Sequence, residues 1–198
     1  MNHFYLIRHG ECDCGQLKLL GRTDAHLNDR GVEQAKRLSV ALRDIQFDRI
    51  ISSPVMRAMQ TAQLIALLQQ REVTVDDSFQ EISYGKWTDK SFSELRNDKL
   101  WDKFNRFRAF SRIPDGEMMI DVQCRVVEKM EKLRREPSDQ AVCIVSHSDP
   151  IKAILSYYCA IDVNAIHGLS VDNGSVSVLD MTASTVSIGA VNYTGHLI

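Results

Sequence analysis

The stretch FYLIRHGE at residues 4–11 places an arginine and a histidine directly after a short apolar run. Four aromatic, apolar and β-branched residues followed by a glycine are typical of a buried strand. Ligands of open α/β sheets bind at the carboxyl ends of the strands, where this reading puts Arg8 and His9. The arginine fork matches phosphate oxygens, and histidine is a nitrogen nucleophile near neutral pH. The stretch indicates a phosphate site, with a solvated surface pair as the alternative.

Two further apolar runs end in polar residues of the same kind. The run AVCIV at residues 141–145 leads into Ser146 and His147, and the run FDRII at residues 47–51 leads into Ser52-Ser53-Pro54. A proline after a serine is typical of a helix start, which predicts a helix beginning at Pro54 with Ser53 as its cap. Arg57 would then lie about one turn inside that helix. Taken alone, Arg57 reads as an exposed helix arginine, but its nearness to a strand end favours a place in the site.

A series of short motifs between Leu6 and about Ile154 occurs in an order that is typical of one protein family. The motifs are Arg8-His9-Gly10-Glu11, Ser52-Ser53-Pro54, Arg57-Ala58, Thr61-Ala62, Glu81 with Gly85 and Trp87, and Ser146-His147. In this order and spacing the chain resembles the histidine phosphatase superfamily, whose members include the phosphoglycerate mutases.

The resemblance implies a mechanism and a set of site residues. His9 would attack phosphorus and form a phosphohistidine, while Arg8, Arg57 and His147 stabilise charge on the phosphoryl oxygens. Glu81 would give a proton to the leaving oxygen and later take one from water, although a glutamate in a loop is often simply solvated. The catalytic residues implied are His9, Glu81, His147, Arg8 and Arg57, and the substrate-binding residues are Arg8, Arg57, His147, Gly10, Thr23 and Ser148.

The chain departs from the family pattern after each of its two histidine motifs. Cys12 and Gly15 stand where many members carry threonine and asparagine, so a phosphate-contacting amide is predicted to be missing near Gly15. After His147, where many members have glycines, this chain has Ser148-Asp149-Pro150. Asp149 is predicted to cap the helix that follows, with a part in substrate choice as the alternative.

Composition agrees with one enzyme domain over residues 1–198. A chain of 198 residues with 44% hydrophobic content can bury a substantial core, and no Pro-, Gly- or Ser-rich segment divides it. A net charge of -2 argues against nucleic-acid binding, and no apolar run approaches membrane-spanning length. We expect a cytoplasmic protein with a small phosphorylated substrate as its partner. The oligomeric state is not readable from the sequence, and a homodimer is compatible with it.

Neither a metal nor a cofactor is expected. Cys12 and Cys14 are close in sequence, but no second Cys/His pair at finger-like spacing accompanies them. The five cysteines show no pairing pattern of a secreted disulfide framework, so reduced thiols are expected.

Hydrophobic periodicity predicts alternating helices and strands around this site. Helices are predicted from Asn28 to about Asp44, Arg57 to Leu68, Met118 to Arg135 and Pro150 to Cys159, with a short strand at Val73–Val75 and a terminal hairpin of residues 176–179 and 185–188. The expected fold class is α/β, a three-layer α/β/α sandwich with a mostly parallel central sheet, like the phosphoglycerate mutases. Residues 91–117 are predicted to form a helical substrate-specificity insertion, in which Arg106, Arg108 and Arg112 either hold a second anionic group or are solvated.

The function that follows is a metal-independent phosphomonoesterase that hydrolyses a small phosphorylated metabolite through a phosphohistidine on His9. In class terms this is a histidine acid phosphatase-type phosphoric monoester hydrolase. One alternative is phosphoglycerate mutase-type phosphoryl transfer. The alternative from another class is a non-catalytic phospholigand or protein-binding module, which would need neither the nucleophile His9 nor the proton donor Glu81.

Overall fold

The computed structural model describes residues 1–13, 18–136 and 139–194 of the chain. Within these residues, one sheet has six strands in the order β3-β2-β4-β1-β5-β6. The strands are β1 (Asn2–Arg8), β2 (Arg49–Ser52), β3 (Val73–Val75), β4 (Ala141–Ser146), β5 (Val176–Met181) and β6 (Val186–Tyr193). The first four run parallel, and the β5–β6 hairpin joins them antiparallel through β1. The predicted mostly parallel sheet and terminal hairpin are confirmed.

Helices occupy the connections between the strands. They are α1 (Asp29–Ala41), α2 (Met56–Gln69), α3 (Phe92–Leu95), α4 (Lys99–Arg106), α5 (Met119–Arg134) and α6 (Ser148–Tyr158), with 3-10 turns at Asp77–Phe79, Gly85–Trp87 and Val163–Gly168. The segment predicted as a helical insertion at residues 91–117 contains α3 and α4. In the described part of the chain, no helix combines the length and apolar character needed to cross a membrane.

Side chains of the central strand β1 point alternately to two separate hydrophobic cores. Phe4 and Leu6 belong to the core that also contains Val126 of α5 and further apolar residues of α6. Ile7 belongs to the second core, with Leu38 of α1 and apolar residues of α2. Because neighbouring residues of a strand face opposite sides of the sheet, helices cover both faces. The three-layer sandwich predicted from the sequence is confirmed.

The register of the parallel strands brings three polar strand ends to one edge of the sheet. Arg8 of β1 is paired with Ser146 of β4, and the His9 backbone N–H donates to the Ser146 carbonyl oxygen at 3.0 Å. On the other side of β4, the Ser53 N–H donates to the Val145 carbonyl oxygen at 2.9 Å. The residues that follow β1, β2 and β4 are therefore neighbours in space, which is the site expected for this class of sheet.

One helix start is as predicted and one is not. Asn28 caps α1, because its side-chain oxygen accepts from the Gly31 N–H at 2.8 Å. The predicted start of α2 at Pro54 is wrong: α2 begins at Met56, after an extended Val55. The Ser53 backbone stays in register with β4, so the chain turns into the helix only after Pro54.

Two glycines allow the loop after β1 to lie against the start of α1. A Cβ atom at Gly31 would lie 1.9 Å from the Glu11 carbonyl oxygen, and one at Gly10 would lie 2.4 Å from the Gly31 carbonyl oxygen. The loop that follows His9 is therefore held in a backbone-to-backbone contact that only glycine permits.

We expect Gly31→Ala to lower the free energy of unfolding by about 1–3 kcal/mol or more, because the added methyl group must push two backbone segments apart. Urea denaturation followed by circular dichroism measures this effect. Gly168→Ala is the matched control, since a Cβ at Gly168 meets nothing within 4 Å. Equal stability of the two variants would contradict the close contact at Gly31.

Candidate active site

His9 lies at the end of β1 with its imidazole in one defined orientation. The ring is buried, and Nδ1 lies 2.6 Å from the Gly10 carbonyl oxygen. A carbonyl oxygen only accepts, so Nδ1 carries the proton and Nε2 carries the lone pair. Burial, followed by the positive charges of Arg57 and Arg8, lowers the pKa of His9 well below its usual value. His9 is thus a neutral imidazole whose unprotonated Nε2 is the ring nitrogen that does not contact its own backbone.

Arg57 in the first turn of α2 meets this lone pair. Its Nε–H donates to His9 Nε2 at 3.0 Å, and its two terminal nitrogens donate to the carbonyl oxygens of Thr23, at 3.0 Å, and Gly21, at 2.6 Å. The guanidinium is buried, and burial is the main cause that lowers the pKa of Arg57. Three backbone and side-chain acceptors therefore fix a cation directly in front of His9.

Arg8 and His147 are two further polar side chains close to His9. Arg8 Nη1 donates to the Val171 carbonyl oxygen at 2.6 Å. The His147 ring centre lies 5.0 Å from that of His9, and its Nε2 lies 2.8 Å from the Ser53 hydroxyl. Among the described residues, neither Arg8 Nε nor His147 Nδ1 has a hydrogen-bond partner, although both atoms are buried. Two buried polar atoms without a partner at one strand edge indicate a place for a ligand.

Glu81 is a buried carboxyl group beside these cations. Its Oε1 accepts from the Ile82 N–H at 2.9 Å. Burial, followed by the negative charge of Asp149, raises the pKa of Glu81 from 4.5 to about 7, although Arg57 and Arg8 act in the opposite direction. A carboxyl group with such a pKa can both give and take a proton near neutral pH. The prediction that Glu81 belongs to the site rather than to a solvated loop fits this position.

The raised pKa of Glu81 predicts a loss of stability as pH rises. The folded protein holds the Glu81 proton more tightly than the unfolded chain does, so the free energy of unfolding falls between about pH 4.5 and pH 7 and then levels. This fall in the free energy of unfolding is on the order of 3 kcal/mol, and we expect it to be absent in Glu81→Gln. Urea denaturation of the wild type and the variant at pH 5 and pH 8 measures it, with the exposed Glu72→Gln as control. Parallel pH dependence in the wild type and in Glu81→Gln would contradict the burial of an ionisable Glu81.

A cavity of about 210 Å³ opens over this cluster. Its walls include Arg8, His9, Arg57, Glu81 and Ser148, so five of the predicted site residues face one space. These five side chains are brought together from β1, α2, α6 and the loop that follows β3.

Three other predicted residues are not part of the cavity wall. His147 is fully buried next to His9, with the two ring centres 5.0 Å apart. The Gly10 N–H donates to the Thr61 hydroxyl at 3.1 Å, and the Thr23 carbonyl oxygen accepts a hydrogen bond from Arg57 Nη1. Gly10 and Thr23 therefore support His9 and Arg57. Gly15, with its predicted effect on phosphate contact, lies outside the described residues, as does Cys14.

The prediction that Asp149 caps α6 is wrong. Asp149 lies inside the first turn, and His147 holds the cap position without a side-chain cap bond. The Asp149 carboxylate instead accepts from Arg108 Nη1, at 3.1 Å, and from the Tyr84 hydroxyl, at 2.9 Å. The buried guanidinium and the Tyr84 hydroxyl give both carboxylate oxygens a partner, which offsets the cost of removing the two charges from water.

The arginines of the segment 91–117 point in different directions. Arg106 is exposed and pairs with Asp102 one turn earlier, and Arg112 pairs with Asp121 of α5. Arg108 is buried against Asp149. The cavity wall described above contains none of the three, so they do not form a joint anion site there.

Sequence reasoning missed the residues that hold the catalytic candidates from behind. The Asn173 side chain donates to the His9 carbonyl oxygen at 3.0 Å, across 164 residues of sequence. Arg22 and Arg125 both donate to the Glu81 carbonyl oxygen, at 2.9 Å and 3.3 Å. An Asn-Gly pair before a strand signals a turn, but nothing local signals these distant contacts.

Over residues 1–13, 18–136 and 139–194, no three His, Cys, Asp or Glu side chains are grouped as ligands of one metal ion would be. The positive charge next to His9 comes from Arg8 and Arg57.

Comparison with known proteins places this fold and site in a family. The model of the histidine phosphatase superfamily (branch 1) matches residues 4–194. Phosphoserine phosphatase 1 of Hydrogenobacter thermophilus is 31% identical over 97% of this chain and 92% of its own length. A 2,3-bisphosphoglycerate-dependent phosphoglycerate mutase of Thermoplasma acidophilum is 30% identical over 96% of this chain and 92% of its own length.

Solved structures agree with the sequence relatives. A phosphoserine phosphatase of Entamoeba histolytica, determined as a mutant in complex with phosphoserine, superimposes with a TM-score of 0.91 over the whole of both chains at 26% identity. The same protein has been solved with 3-phosphoglyceric acid. The chain described here belongs to the histidine phosphatase superfamily, whose relatives named above are phosphatases and a mutase.

Proposed function

We propose that the protein is a phosphoric monoester hydrolase of the histidine acid phosphatase type, acting on a small phosphorylated metabolite without a metal ion. The observation that carries the proposal is the buried, neutral His9 ring, whose unprotonated Nε2 lies 3.0 Å from Arg57 Nε. A nucleophile needs an unprotonated nitrogen, and the charge that develops on the phosphoryl oxygens needs fixed cations, to which the Arg57 N–H groups can turn when the substrate takes their place before Nε2. The same cluster supplies both.

In the first step, His9 Nε2 attacks phosphorus in line with the ester bond. A P–N bond forms as the P–O ester bond breaks, and its electron pair leaves with the ester oxygen. Glu81 gives its proton to that oxygen, which departs as an alcohol. Arg8 and Arg57 stabilise the phosphoryl oxygens, and His147 Nδ1, which is buried without a partner among the described residues, can donate to one of them.

In the second step, water attacks phosphorus from the side that the alcohol has left. Glu81, now ionised, takes a proton from the water, and the P–N bond breaks with its electrons returning to His9 Nε2. The products are inorganic phosphate and the enzyme in its starting protonation state. The Gly10 carbonyl oxygen keeps the proton on His9 Nδ1 throughout, so Nε2 is the attacking nitrogen in every cycle.

The second candidate is transfer of the phosphoryl group to a second alcohol, as in a mutase. The relative from Thermoplasma acidophilum, at 30% identity, is the specific observation that favours it. Both reactions use the same phosphohistidine, and they differ in whether water or a substrate hydroxyl receives the phosphoryl group. The cavity of about 210 Å³ is small, so we favour a compact phosphorylated substrate. The similarity to phosphoserine phosphatases supports a substrate of this size.

The test is the release of inorganic phosphate from an aryl phosphate, phosphoserine and a panel of metabolite phosphates, with no metal added and with a chelator present. We expect release from the wild type and none from His9→Ala. Interconversion of phosphoglycerates without phosphate release would favour the mutase. The absence of both activities would favour the binding module. The single domain, the homodimer and the cytoplasmic location stay predictions from the sequence.

A further inference from the structure

The wall of the active-site cavity contains a second carboxylate in addition to that of Glu81. Asp149 is two residues after His147, in the first turn of α6, and its side chain is 9% exposed. It lines the cavity together with Glu81 and Tyr84. The two-step mechanism proposed above gives Asp149 no task.

Two buried groups hold the Asp149 carboxylate in place. Arg108 Nη1 donates to one oxygen at 3.1 Å, and the Tyr84 hydroxyl donates to the other at 2.9 Å. The Arg108 guanidinium lies 4.7 Å from the centre of the Phe104 ring, which fixes it as a stacked cation. Burial would favour the neutral acid, but Arg108 and Tyr84 outweigh burial and lower the pKa of Asp149. Asp149 is therefore a fixed negative charge.

The groups that face Glu81 are mostly positive. Arg8 and Arg57 approach from β1 and α2, and both favour an ionised Glu81. Arg125 of α5 and Lys152 of α6 interact with Glu81 electrostatically as well, and Tyr84 lies on its own loop. Burial raises the pKa of Glu81 and these cations lower it, so a fixed negative charge nearby adds to the effect of burial. Asp149 supplies the opposing charge.

We propose that the buried Asp149 carboxylate, held by Arg108 and Tyr84 in the wall of the same cavity, favours the protonated form of Glu81 and so raises the upper pH limit of the reaction. The inference rests on the proposed function, in which Glu81 is the proton donor. Asp149 touches neither the phosphoryl group nor the leaving oxygen in this role and acts through Glu81 as a positioning residue. Two neighbouring carboxyl groups whose surroundings keep one ionised and the other protonated divide the acid and base roles between them.

The experiment is the pH dependence of kcat/KM for phenyl phosphate, whose leaving group needs a proton. We expect Asp149→Asn to move the alkaline limb of the profile to lower pH by about half a unit or more, which lowers kcat/KM at pH 8 about threefold or more. With 4-nitrophenyl phosphate, whose phenol leaves without a proton, the same substitution should have little effect. A merely structural role for Asp149 would lower both activities at every pH.

A second variant protects the test against misfolding. Asp149→Asn alone leaves Arg108 buried without its counterion, which is costly. The double variant Asp149→Asn with Arg108→Met removes both charges and lets a flexible apolar side chain pack on Phe104. We expect the alkaline limb to move in the same direction in this double variant, by a smaller amount because the Arg108 charge is lost as well. Asp180→Asn is the matched control, because Asp180 pairs with His3 at the opposite end of β1.

The outcomes separate this inference from the proposed function. An alkaline limb that disappears in Glu81→Gln but stays in place in both Asp149 variants would overturn the role of Asp149 and leave the role of Glu81 intact. An alkaline limb that survives in Glu81→Gln would overturn the role of Glu81 itself, and with it the inference.

Discussion

His9→Ala is expected to abolish phosphate release, with kcat/KM reduced by about 10⁴-fold or more, a loss of the size seen when an enzyme's nucleophile is removed. The physical reason is that no other lone pair replaces His9 Nε2, which Arg57 and the Gly10 carbonyl oxygen hold in one direction. Alanine also leaves the cations in place, so binding of a phosphate ester should persist while turnover is lost. Steady-state phosphate release and equilibrium binding of the same ester measure the two effects.

The matched control for this substitution is His3→Ala. His3 belongs to the same strand, but it pairs with Asp180 at the far end of β1. We expect that variant to keep wild-type turnover. Comparable activity in His9→Ala and His3→Ala would rule out His9 as the nucleophile.

Glu81→Gln is expected to have the second largest effect, and the effect should depend on the leaving group. General acid catalysis contributes about 10²–10⁴-fold when the departing oxygen is basic. We therefore expect kcat/KM for phenyl phosphate or phosphoserine to fall by about that factor, and kcat/KM for 4-nitrophenyl phosphate to fall far less. Glutamine keeps the size of Glu81 and the acceptor for the Ile82 N–H but has no acidic proton.

The pH dependence of kcat/KM is a second test of the role of Glu81. With a pKa of about 7, Glu81 should produce an alkaline limb in kcat/KM of the wild type, because the protonated form is lost as pH rises. Glu81→Gln should lack that limb. A loss of equal size for all leaving groups, with an unchanged pH profile, would assign Glu81 a structural role instead.

Local sequence signals were sufficient for the fold and for the strand ends that bring the candidate site residues to one edge of the sheet. The run before Arg8 is apolar and short, so it is read correctly as a strand, and parallel pairing then brings His9 next to Ser146. Asn28 caps its helix through an i to i+3 contact that sequence spacing reveals directly. Features of this kind depend on neighbours in the chain or on the general geometry of parallel sheets.

The parts that could not be predicted depend on contacts between distant segments. Asp149 has the sequence position of a helix cap, yet its partners Tyr84 and Arg108 come from 65 and 41 residues away. Asn173 reaches His9 from the turn before β5, and Arg125 reaches Glu81 from α5. Which side chain meets a buried carboxylate or carbonyl is decided by tertiary packing, and propensity and spacing carry no information about it.

The α2 start shows the same limit at short range. A serine followed by a proline has the composition of a helix cap, but Ser53 continues the pairing with β4 and its hydroxyl meets His147. The serine therefore serves the site and the sheet rather than the helix. The Ser53 hydroxyl still accepts from the Val55 N–H at 3.3 Å, so its local hydrogen bond precedes the helix instead of capping its first turn.

The central claim is the phosphohistidine on His9, and the most direct measurement is its capture. The enzyme is mixed with a slowly hydrolysed phosphate ester, quenched in alkali, where phosphohistidine survives, and analysed by peptide mass spectrometry. We expect one phosphoryl group on the peptide that contains His9, formed at least as fast as turnover and absent from His9→Ala. Full turnover with no phosphoryl group on His9 at any time during the reaction would contradict the mechanism.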